Sequence, residues 1–94
     1  MDKFNVYAVR NIKLDFYENA MVSENEKVII AGMKNMILEC GLRYLPMYLQ
    51  RQEEYELILV STVNCESKGV KSEWLSLGLI SDLLNGKDDN NGES

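Results

Sequence analysis

The sequence predicts an α+β fold: a small, mostly antiparallel four-stranded sheet with one main helix on one face, in the order ββαββ, followed by a short C-terminal helical or irregular segment. Three observations predict it. Residues 4–10 and 55–64 are dense in the residue types that strands favour. Residues 23–40 place apolar side chains at helical spacing behind a capping signature. Short polar stretches, the last containing glycine, separate the flanking runs.

The first strand is residues 4–10, where Phe4, Val6 and Ala8 alternate with Asn5, Tyr7 and Val9. Both faces are apolar, which suits a central strand. Residues 14–22 form its hairpin partner, with Leu14, Phe16, Ala20 and Val22 on one face. Glu18 interrupts that face and predicts a bulge or an early strand end. In "SENE", residues 23–26, Ser23 and Glu26 have the spacing of a capping box, so the helix is expected to begin there. It should run to Cys40 and close on Gly41 in the left-handed conformation. Ile29, Met33, Met36, Ile37 and Cys40 form its apolar stripe.

Residues 42–54 read as irregular, because Pro46 stops any continuing helix. In residues 55–64, Tyr55, Leu57, Leu59, Ser61 and Val63 face one way and Glu56, Ile58, Val60 and Thr62 the other. "CESKGV", residues 65–70, predicts a hairpin turn with Gly69 at positive φ. The return strand covers residues 70–75, and "LGLISDLLNG" fits either a strand end or a helical turn closing at Gly86. Residues 1–87 are expected to form one domain, and residues 88–94 an acidic, disordered tail.

The chain has 94 residues, 46% of them apolar, enough for one modest core. Its net charge is −5, but the tail carries Asp88, Asp89 and Glu93, and the rest carries only −2. The folded part is therefore near balance, without the basic excess that duplex DNA binding requires. Without histidine the commonest general base is missing, and so are Ser/His and Cys/His pairs. Cys40 and Cys65 build no metal site alone and are expected as free thiols. Nothing points to an enzyme, a cofactor or a membrane span. "MDKFNVYAVR" lacks the apolar run of a secretory signal, so an intracellular location is expected.

Two groups of residues suit single-stranded nucleic acid, which is held by aromatic stacking and basic contacts to the backbone. In the first hairpin these are Tyr7, Arg10, Lys13 and Tyr17; in the segment after the helix, Arg43, Tyr44, Tyr48 and Arg51. Each also has a structural reading, with the tyrosines as core and the bases as solubilising charges. Trp74, the only tryptophan, is an interface anchor if exposed, though a core place is the simpler expectation. The scattered glutamates read as a solvated face.

Tyr7-Ala8, Lys13, Phe16-Tyr17, Asn25, Ala31, Glu54-Tyr55-Glu56-Leu57 and Gly69 stand in an order that resembles the small nonstructural protein of gokushovirus-like microviruses, the tailless single-stranded-DNA bacteriophages. The resemblance spans roughly residues 5–70. It departs at Gly32-Met33, where the family helix usually carries an arginine, and at Glu18-Asn19, where the family has a proline. The resemblance implies a nonstructural phage protein acting in viral DNA replication in the cytoplasm of an infected bacterium. Its expected partners are single-stranded DNA or, alternatively, a replication or host protein docked without DNA. A homodimer is expected, because so small a sheet leaves edge strands unpaired.

Overall fold

A computed structural model describes residues 2–86. The strands are β1 (Lys3–Asn11), β2 (Phe16–Ser23), β3 (Tyr55–Asn64) and β4 (Gly69–Leu79). Helix α1 (Glu26–Glu39) joins β2 to the segment before β3. That segment holds α2 (Met47–Gln50) between two 3₁₀ turns, Leu42–Tyr44 and Gln52–Glu54, and α3 (Ile80–Leu84) follows β4. All strand pairings are antiparallel, in the order β2-β1-β3-β4. The expected α+β architecture is therefore present, with the doubly apolar β1 inside the sheet. The tail, residues 88–94, lies outside the described residues.

The core lies on one face of the sheet. Tyr7 and Val9 of β1 and Tyr55 and Leu57 of β3 pack with Ile30 and Met33 of α1, Leu45, Tyr48 and Leu49, and Ile80 and Leu83 of α3. The helix turns Ile30 and Met33 furthest inward, whereas Cys40, placed on the stripe by its spacing, is exposed. Residues 42–54 are more ordered than expected. Three short helical turns form there, and the backbone of α2 begins directly after Pro46, whose fixed φ suits a helix entry.

Several local expectations are corrected. Ser23 ends β2 and does not cap α1; the cap is Asn25, whose Oδ1 accepts from the Val28 N–H at 3.2 Å. Ser23 Oγ is occupied instead by the Asn25 backbone, accepting from its N–H at 3.4 Å and donating to its carbonyl at 3.0 Å. A two-residue bend, Glu24 and Asn25, thus separates Ser23 from the helix start. The helix ends in extended backbone at Cys40, with Gly41 at φ −68°, so no left-handed closure occurs. In the β3–β4 turn, Lys68 takes the positive φ expected of Gly69.

The bulge foreseen near Glu18 is present. Tyr7 pairs with Met21 and Val9 with Glu18, so β2 holds an extra residue, and Asn19 sits at φ 58°. Because a bulge reverses which face later side chains take, Phe16 and Val22 do not share a face as their spacing suggested. Phe16 is opposite Asn11 and Val22 opposite Val6, on opposite sides of β1. Register shifts also occur at Val60 between β1 and β3, and twice in β4, near Trp74 and near Leu77.

Candidate functional site: the uncovered sheet face

Among the described residues, no helix covers the second face of the sheet. Phe4, Val6, Ala8 and Arg10 of β1 point to it, since their neighbours Tyr7 and Val9 enter the core. Direct cross-strand partners share a face, which adds Val63, Ser61, Ile58 and Glu56 of β3. Val22 and Tyr17 of β2 and Val70, Ser72, Ser76 and Leu79 of β4 extend it.

Two aromatic residues dominate this surface. Tyr17 is on β2 and Trp74 on β4, the two edges, and their rings meet with centroids 5.3 Å apart and planes at 75°. Such an edge-to-face contact is favoured by the ring quadrupoles. To meet, the rings must span β1 and β3. Ala8 and Ile58 are cross-strand partners on those strands and are 7% and 4% exposed, although neither belongs to the helix-side core. The aromatic bridge accounts for their burial. Tyr17 nonetheless remains 47% exposed and Trp74 58%, so the core place expected for Trp74 is corrected.

Trp74 reaches this position through backbone strain. Its φ is 48°, in the left-handed region that bulky residues avoid, at a register shift of β4. Beside the rings a polar line crosses the sheet. Arg10 Nε donates to Asp15 Oδ1 at 2.9 Å and Nη1 to Glu56 Oε2 at 2.6 Å; Ser76 Oγ donates to Glu56 Oε1 at 2.7 Å. The hydrogen bond to Asp15, followed by that to Glu56, raises the Arg10 pKa. Two carboxylates against one guanidinium leave this line net negative.

The eight sequence-predicted residues do not converge. Tyr7 is 1% exposed, inside the core, and its hydroxyl accepts from Asn5 Nδ2 at 2.9 Å. Tyr48 is 4% exposed, and its hydroxyl accepts from Asn19 Nδ2 at 3.0 Å, which ties α2 to the β2 bulge. Burial raises the pKa of both phenols. Neither ring offers a stacking surface, because each fills the helix-side core. Arg10 and Tyr17 are cross-strand partners on the uncovered face, with Lys13 exposed in the adjoining turn. Arg43 and Tyr44 are exposed on the first 3₁₀ turn, and Arg51 lies 3.7 Å from Glu54. The sheet thus separates Arg10 and Tyr17 from Tyr7 and Tyr48.

The spacing arguments missed Glu56 and the partnership of Tyr17 with Trp74. The available signal was broken alternation in "GVKSEWLSLGL", where apolar residues change parity between Trp74 and Leu75. Cys40 and Cys65 are free and exposed. Among the described residues, no helix is long and apolar enough to cross a membrane. No protein family, curated protein or solved structure matches the chain.

Proposed function

We propose that this chain is a nonenzymatic docking module acting in the genome replication of a single-stranded-DNA bacteriophage, and that its uncovered sheet face receives an apolar segment of a replication or host protein. The phage context rests on the resemblance of residues 5–70. The choice of a protein partner rests on one observation: Tyr17 and Trp74 remain half-exposed over the face while Arg10 beside them is held by two carboxylates. Tryptophan and tyrosine are the side chains that most often anchor protein interfaces. A phosphate approaching Arg10 would have to displace Asp15 or Glu56.

Single-stranded DNA is the competing occupant, favoured by the exposed rings and by Lys13 at the edge of the face. The test has two arms. The first is co-purification with the replication proteins encoded in the same phage genome, comparing the native chain with Trp74→Ala and Tyr17→Ala. Loss of a defined partner in both variants, with unchanged circular dichroism, supports docking. The second arm is fluorescence anisotropy with an oligodeoxynucleotide. Saturable binding that weakens with salt, by about −0.7 in log–log slope per phosphate neutralised, and that is reduced in Arg10→Ala/Lys13→Ala, would replace the protein partner with DNA.

A further inference from the structure

We propose that a cleft at the far end of the helix-side face, between Lys3 and Lys71, binds the phosphate group of a small, nucleotide-sized ligand. The site is independent of the aromatic face. Its floor is built by strand register. Lys3 of β1 pairs with Asn64 of β3, which pairs with Gly69 of β4; in the next row on the same face, Asn5 pairs with Thr62 and Thr62 with Lys71. The core residues of β1 and β3 lie further along the strands, so the sheet extends beyond the packed cluster and leaves these polar rows open. Together with Val63 and Val70 between the rows, they line a cleft of about 470 Å³, within the range of small-ligand sites.

The chemistry of the lining selects an anion. Two lysines stand on either side of β3 against one adjacent carboxylate, Glu73, which leaves the cleft with a net positive charge. Two strand spacings of about 4.8 Å and an offset of two residues along the strand place the backbones of Lys3 and Lys71 about 12 Å apart, and their flexible stems can close on one group between them. Asn64 Oδ1 accepts from the Glu66 and Ser67 N–H groups at 3.0 and 3.1 Å, which fixes the side chain and leaves its Nδ2 to donate. Glu73 accepts from Thr62 Oγ1 at 3.3 Å and lies 3.9 Å from Lys71 Nζ. It offsets part of the charge of Lys71. Among the described residues, Lys3 makes no ion pair. Lysine serves phosphate as a point charge, so the cleft reads charge and size more than shape.

The test titrates isotope-labelled protein with deoxythymidine monophosphate, with inorganic phosphate, and with sodium chloride at matched ionic strength, following backbone amides by NMR. Saturable displacement centred on Lys3, Asn64, Gly69 and Lys71 is expected from the nucleotide, with a dissociation constant on the order of 1 mM. Lys3→Gln/Lys71→Gln should weaken it about tenfold, and Lys3→Arg/Lys71→Arg should retain it. Tighter binding of the nucleotide than of inorganic phosphate supports a nucleotide ligand; equal binding supports recognition of the phosphate group alone. Displacements that chloride reproduces, that never saturate, or that survive in the glutamine pair would overturn the proposal.

Discussion

Tyr17 and Trp74 stand on opposite edge strands of the sheet, yet their rings meet across it with centroids 5.3 Å apart. Three strand spacings, about 14 Å of backbone, separate the two edges. Only two large side chains reaching toward one another can close that distance, and in doing so they cover Ala8 and Ile58. A double-mutant cycle of Tyr17→Leu and Trp74→Leu, read by chemical denaturation, should give a coupling of about 0.5–1.5 kcal/mol. Strict additivity would mean that the rings do not stabilise one another in solution.

The left-handed backbone at Trp74 makes a separate prediction. A residue with a Cβ pays about 1–2 kcal/mol in this conformation, and glycine does not. Trp74→Gly and Trp74→Ala both lose the ring, so their difference isolates the backbone. The glycine variant should be the more stable of the two by about 1 kcal/mol. The reverse order, which is normal for a regular strand, would place Trp74 outside the left-handed region.

Asn25 and Ser23 can be separated as caps. Asn25→Ala removes the acceptor of the Val28 N–H and should cost about 0.5–2 kcal/mol. Ser23→Ala should cost less, because its hydroxyl meets only the Asn25 backbone. The measurement is the urea midpoint of each variant at constant slope. A larger loss for Ser23→Ala would restore the capping box.

Burial, before any other cause, raises the pKa of Tyr7 and of Tyr48; the hydrogen bonds from Asn5 and Asn19 act in the opposite sense. A phenol whose folded pKa exceeds its unfolded value contributes stability that is complete below the unfolded pKa and is lost as pH rises through the folded one. Stability should therefore hold at neutral pH and fall from about pH 10 upward. Urea titrations across this range should show a shallower loss in Tyr7→Phe and Tyr48→Phe. Equal alkaline sensitivity in both variants and the native chain would assign the effect to other groups.

Self-association is the expected state in solution. Leu38, Leu42, Tyr44 and Met47 lie exposed along the end of α1 and the turns that follow, and β2 and β4 present free edges. Sedimentation equilibrium at high micromolar concentration should give a dimer, and Leu38→Lys/Leu42→Lys should shift it toward monomer. A monomeric native chain at that concentration would remove the idea.

The individual elements follow from local residue patterns. Strand-forming residues located β3 at 55–64, though the shift at Val60 turns Ser61 and Val63 away from the face of Tyr55, Leu57 and Leu59, and doubly apolar β1 announced its inner position. The helical spacing in residues 29–37 gave α1, and Glu18 in an apolar strand marked the bulge. These signals are local, because each follows from the period of one element. Which aromatics are exposed depends on how the strands pair and where the helices pack. Tyr7 and Tyr17 flank the same turn with similar neighbours, yet one fills the core and the other stands on the open face. The difference is one of strand parity and of which face receives the helices. Likewise, only antiparallel register brings Glu56 to Arg10 across a separation of 46 residues, turning a basic candidate into a neutralised one. Bulges in β2, β3 and β4 reverse side-chain direction partway along each strand, so residues evenly spaced in the chain part to opposite faces. Composition carries no record of that reversal; it is fixed when the strands pair.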